Sequence, residues 1–325
     1  MNKLIVSSSP HARSSITTRG IMLDVIIALL PATAAAIVLF RLKALWLILV
    51  CCLSALATEA LFQLAAKREQ TIMDGSALVT GLLLALNLHA NVPLWQAAVG
   101  TVFAVGVVKL CFGGLGKNFA NPAITGRVFM LIAFAETGGG ALSHKMVQTS
   151  SASVVDVVSQ ATPLTKINEA YAAYLPSFED MLLGTGYRAG ALGEVCSIAL
   201  LIGFIYLLAR RVISWHTPTV FVGTVFVFSW ILTGNLTFAL YHVLAGGLLL
   251  GAIFMATDYV TSPINKLGKV VFAFGCGLIT VLIRFYGSYA EGVSFAILFM
   301  NILTPYIEKW TKARPLGVKK GGARK

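Results

Sequence analysis

Stretches of roughly 18 or more predominantly apolar residues recur from one end of this chain to the other, and a run of that length crosses a bilayer as a helix. The composition agrees. Hydrophobic residues make up 57% of the chain and charged residues 12%, about half the charge of a soluble domain. The chain therefore reads as an all-α polytopic membrane protein with no soluble domain of useful size. Its net charge of +12 has no basic face on which nucleic acid would bind, and fits an excess of cations on the cytoplasmic side of a membrane. The N-terminus is polar to Gly20 and the first apolar run is full length, so no cleavable signal peptide is expected. The cysteines at 51, 52, 111, 196 and 276 include no Cys-x-x-Cys pair. They read as small buried hydrophobes, not as disulfides or metal ligands.

The pattern predicts about ten spans, near 21–40, 44–65, 76–92, 94–112, 121–137, 191–209, 217–234, 237–257, 268–287 and 290–309. With the N-terminus in the cytoplasm, 19 of the 25 Lys and Arg residues fall on the inner side, as the positive-inside rule requires. The C-terminus is then also cytoplasmic, and the loop between the fifth and sixth spans faces the periplasm. That loop, 138–190, divides the chain into a five-helix unit at 1–137 and a second at 191–325, which ends in a basic tail. Five spans per half place the halves in opposite orientation, so two inverted five-helix repeats are expected. Asn118-Phe119-Ala120-Asn121-Pro122-Ala123 precedes the fifth span and Asp258 to Asn265 follows the eighth. Both read either as broken backbone lining a cavity or as ordinary proline turns capped by Asn and Asp. Asp24, Glu59, Lys109 and Glu194 lie at or near membrane depth. Glu59 is the deepest; Asp24 and Lys109 sit near span ends within reach of water, and Glu194 falls in a first helical turn. His89 and His242 read as packing or interfacial residues.

The long loop carries Asp156-Val157-Val158-Ser159-Gln160-Ala161-Thr162-Pro163-Leu164-Thr165. It is either a hydroxyl-rich turn closed by proline or a place to hold a bulky polar group outside the bilayer. Here motifs spread over the whole chain become informative together. Ser9-Pro10-His11, Ile21-Met22, Pro31-Ala32, the run from Asp74-Gly75-Ser76 to Leu86, Lys117 to Ala123, Ala256-Thr257-Asp258 with Ser262-Pro263, and Ser159 to Thr162 occur in order. In this order they resemble the D subunit of the Rnf electron-transport complex. The related B subunit of the sodium-pumping NADH:quinone reductase shares the pattern but has a longer N-terminal extension.

The resemblance implies an electron carrier in a multi-subunit bacterial inner-membrane pump that couples ferredoxin and NAD redox chemistry to movement of Na⁺ or H⁺. Thr162 matches the position esterified to the phosphate of FMN. Ser159 and Ala161 complete the motif, and Gln160 stands where the family has glycine. Lys166 and Arg188 are the cations near enough in sequence to neutralise that phosphate. A second, non-covalent flavin (riboflavin or FMN) is implied beside Asn118, Asn121 and Asp258. The partners implied are other membrane subunits, an extracytoplasmic flavoprotein subunit, a cytoplasmic iron–sulfur subunit and a flavin transferase that installs the FMN. The alternative is a stand-alone channel or secondary transporter, suggested by Asn121-Pro122-Ala123 and its counterpart Ser262-Pro263-Ile264. Bound flavin separates the two.

Overall fold

The computed structural model describes residues 17–134, 177–184, 190–287 and 292–312. Twelve helices account for the fold of these residues: α1 (Thr18–Phe40), α2 (Leu42–Ala65), α3 (Ser76–Asn87), α4 (Leu94–Val102), α5 (Pro122–Ala133), α6 (Phe178–Leu183), α7 (Ser197–Ala209), α8 (His216–Thr233), α9 (Leu236–Leu244), α10 (Leu248–Leu250), α11 (Lys266–Tyr286) and α12 (Val293–Thr311). α4 runs on as a π-helical segment, Phe103–Leu110, and α10 as another, Gly251–Met255. No strand occurs among the described residues, only an isolated antiparallel bridge between His89 and Ala191. Each of the ten expected spans meets a helix or a helix pair. The chain is an all-α polytopic membrane protein.

Four helices, α1, α2, α8 and α11, are long and apolar enough to cross a membrane alone. α9 with α10 and its π segment is long and apolar enough for a fifth, as a broken span or a re-entrant loop, bent by 61° at its break. There the backbone turns through Gly246 and Gly247, both at positive φ, a conformation that glycine adopts without steric cost. Arg284 of α11 covers the break by donating to the carbonyls of His242, Ala245 and Gly246. α3 and α5, at 12 residues each, are shorter than expected. A helix of that length rises about 18 Å, well short of the ~30 Å hydrocarbon core. α3 stops because Leu88 goes extended after Asn87, whose side chain turns back to the Leu83 carbonyl.

The packing scheme repeats from one half to the other. α2 lies against α3 and α4 as α8 lies against α9 and α11, and α5 packs on α4 as α12 packs on α11. Across the halves α1 meets α7, and α5 meets α12. The α1–α7 crossing is backbone-close: a Cβ at Gly203 would fall 2.3 Å from the Ala28 carbonyl oxygen and 2.9 Å from the Phe254 ring. Gly203→Val is therefore expected to force α1 and α7 apart. The overpacking costs roughly 1–3 kcal/mol, read as a lowered thermal midpoint of the detergent-solubilised protein. A midpoint within error of wild type would show that the crossing yields without cost.

Candidate functional site

The start of α1, the starts of α3 and α5, the end of α7 and the ends of both π segments meet at one end of the bundle and enclose a cavity of about 740 Å³, including its open mouth. Apolar walls come from Ile21, Met22, Leu83, Leu207 and Phe254; Ser76, Thr80, Lys109, Asn118, Asn121, Asp258 and Tyr259 supply polar atoms. π segments widen a helix locally and redirect its side chains, and they recur at functional sites. Here one carries Lys109 and the other Phe254 into the same wall.

Asn118, Asn121 and Asp258 thus line one cavity, although the first and last lie on opposite halves of the chain. Their environments differ. Asn121 caps α5: its Oδ1 accepts from Ala123 N–H at 3.0 Å and Ile124 N–H at 3.3 Å, ahead of Pro122 in the first turn. Its Nδ2 donates to the Met255 carbonyl at 3.3 Å and ties the two halves together. The capping role therefore holds for Asn121, and its carbonyl is already occupied. Asp258 also organises its own turn, with Oδ1 accepting from Val260 N–H at 3.4 Å and Oδ2 from the Thr261 hydroxyl at 3.1 Å. The surrounding protein desolvates its carboxyl and pushes it above the usual carboxylate range, although these two hydrogen bonds pull the other way. Asn118 is different. It is buried, and its Oδ1 has no partner among the described residues. A buried acceptor left unmade costs about 1–3 kcal/mol, which a ligand N–H or O–H entering the cavity would recover.

Lys109 does not reach water. Its side chain is 2% exposed, and Nζ lies 3.0 Å from Glu59 Oε1, itself 1% exposed. Nζ also donates to Ser76 Oγ at 2.7 Å, and that hydroxyl donates on to Asp74 Oδ1 at 2.5 Å. On the far side Glu59 Oε1 accepts from the Thr71 hydroxyl at 3.0 Å and from Gln63 at 3.3 Å. Burying an ammonium is tolerable only with such a set of partners. The expected position of Lys109, within reach of water, is wrong because α4, lengthened by its π turn, carries the side chain inward beside α2. No linear signal reports that pairing.

The cavity thus combines largely apolar walls with an orphaned acceptor at Asn118 and a cationic residue, Lys109. Residues 5–317 match the family described as NQR2, RnfD, RnfE. The chain belongs to that family. It is 45% identical over 317 residues to the D subunit of the Na⁺-translocating ferredoxin:NAD⁺ oxidoreductase complex of Acetobacterium woodii, covering 98% of this chain and 96% of that protein. It is 37% identical to the D subunit of the proton-translocating ferredoxin:NAD⁺ oxidoreductase complex of Clostridium ljungdahlii, over 98% of each chain. The D subunit of the ion-translocating oxidoreductase complex of Escherichia coli O7:K1 is 34% identical, over 97% of this chain and 99% of that protein.

In this family member Glu194 also departs from expectation. Glu194 precedes α7 by three residues and is not in a helical first turn. Its carboxylate lies 3.9 Å from Arg127 of α5 and accepts from Ala191 N–H at 3.3 Å. Arg127, counted by charge as an inner-side cation, is 2% exposed and donates to Asn87 at the end of α3. Removing Arg127 and Lys109 from the inner tally leaves the charge bias in the same direction. Asp24 is half-buried, 3.2 Å from the exposed Arg210 and 2.9 Å from the Tyr206 hydroxyl. No group of metal-ligating residues occurs among the described residues, and the loop residues Ser159, Gln160, Ala161, Thr162, Lys166 and Arg188 lie outside them.

Proposed function

We propose that the chain is the membrane flavoprotein subunit of an ion-translocating ferredoxin:NAD oxidoreductase complex, passing electrons between FMN esterified to Thr162 on the periplasmic side and a second, non-covalent flavin in the cavity. The partly open, amphipathic cavity with its unpaired Asn118 acceptor carries the reading of the second site. Asn118 would receive an N–H of the ring edge, Asp258 would face its polar rim, Asn121 would fix the wall through α5, and Phe254 with Leu83 would cover its apolar body. The flavin supplies reversible electron and proton uptake; the protein supplies position, electrostatics and exclusion of water. Full-length similarity to subunits of such complexes supports assembly with other membrane subunits, an extracytoplasmic flavoprotein and a cytoplasmic iron–sulfur subunit. The repeated packing scheme supports two halves of inverted orientation.

The test is acid extraction of the purified full chain after incubation with riboflavin or FMN. About one flavin per chain is expected in the extract from wild type. Asn118→Leu removes the acceptor and fills its space, so retention at a fixed flavin concentration should fall about tenfold, the equivalent of ~1.4 kcal/mol. A wild type that retains no flavin yet carries a solute alone into liposomes would replace this reading with the transporter one, to which the bent α9–α10 span is also suited.

A further inference from the structure

The Lys109 network is more than a way to bury a charge. Nζ uses two protons, on Glu59 and Ser76, and the third N–H has no acceptor among the described residues although Lys109 lines the cavity. From Ser76 the chain of hydrogen bonds continues to Asp74, which is only half-buried and in reach of water. An unbroken line of exchangeable protons therefore runs from solvent through Asp74 and Ser76 to the ammonium of Lys109, a residue of the cavity wall. A redox ring that gains electrons in this partly enclosed cavity takes up protons as well, and the apolar walls give none.

We propose that Lys109 is the proton donor to the redox ring in the cavity and that Ser76 and Asp74 reload it from water. Lys109 gives one ammonium proton to a ring nitrogen as electrons arrive from a one-electron reductant, in the complex an iron–sulfur partner. One N–H bond breaks on the lysine and one forms on the ring. Asp74 then takes a proton from water, leaving hydroxide in solvent, and passes it to Ser76 as Ser76 gives its own hydroxyl proton to the neutral amine. The net change is one proton from water for each proton delivered. Glu59 stabilises the charged lysine without lying on the path, and Thr71 and Gln63 hold Glu59. The other ionisable groups facing Lys109 are Asp258 and Tyr259 across the cavity; Arg127 of the adjacent α5 is engaged with Asn87 and Glu194.

The proposal rests on the cavity being a flavin site, and its test separates the two. The full chain is produced without a flavin transferase, loaded with riboflavin, and mixed rapidly with reduced methyl viologen while flavin absorbance is followed in H₂O and D₂O. Wild type is expected to bleach more slowly in D₂O. Ser76→Ala, which leaves the Lys109–Glu59 pair intact, should bleach ~10²-fold more slowly when compared with wild type at matched flavin occupancy, the usual worth of a positioned proton donor. The paired variant Lys109→Met/Glu59→Gln should be equally slow. Bleaching of Ser76→Ala at the wild-type rate with flavin fully bound would overturn the relay, as would wild-type bleaching indifferent to D₂O. A wild type that binds no riboflavin overturns the cavity reading as well, and this is seen before any mixing.

Discussion

Thr162→Ala is expected to abolish all flavin that survives denaturation. When the chain is made with an active flavin transferase, the wild-type band should fluoresce in a denaturing gel and its intact mass should exceed the sequence mass by one FMN less water. The variant should be dark and at sequence mass, because esterification requires the threonine oxygen and no rotation of neighbouring groups supplies another at the same backbone position. Ser159 is the nearest upstream hydroxyl, and Ser159→Ala should therefore keep the adduct. Gln160 sets the yield. Glycine at this point reaches backbone conformations that a side chain makes costly, so Gln160→Gly should raise the modified fraction if the transferase requires such a turn. A dark wild type beside a fluorescent control flavoprotein from the same cells would remove Thr162 as the attachment site.

The cavity does not depend on that loop, and the two helix breaks that line it were legible for a physical reason. Asn118-to-Ala123 and Asp258-to-Asn265 each combine a proline with polar side chains where a helix begins or ends, and such breaks survive at the edge of a membrane only when packed against protein or a cavity. The structure shows both features at once: Asn121 caps its helix, and the two breaks face each other. Spans were legible because apolar run length is a direct consequence of bilayer thickness. What the pattern could not give was helix length inside a run. α3 and α5 end early through local backbone turns, and the apolar residues that continue beyond Asn87 look the same in composition whether helical or not. Lys109 and Glu194 were misplaced for a related reason. Depth was judged along single helices, whereas each of these charges is sheltered by a residue from another part of the chain: Glu59 and Arg127 respectively. Long-range pairing of opposite charges leaves no periodic trace in one sequence.

That sheltering makes the largest stability effect in the molecule predictable. Lys109→Met should strand the Glu59 carboxylate, whose Oε2 already lacks a partner among the described residues, among apolar neighbours. Removing one partner of a buried ion pair costs about 3–5 kcal/mol, and for a membrane protein this should appear as a sharply lowered unfolding midpoint or loss of monodisperse protein. Glu59→Gln should cost less, because Thr71 and Gln63 remain to bond the amide while the ammonium keeps Ser76. The decisive variant is the pair, Lys109→Met/Glu59→Gln. It removes both charges, so the desolvation penalty disappears along with the attraction, and its midpoint should lie well above that of Lys109→Met alone. Coupling of this kind is measured as the departure from additivity in the double-mutant cycle, expected at up to ~3 kcal/mol for residues in contact. An additive cycle would mean that Glu59 and Lys109 do not share their charge across the 3.0 Å contact. The relay would then lose the partner that holds its lysine in place.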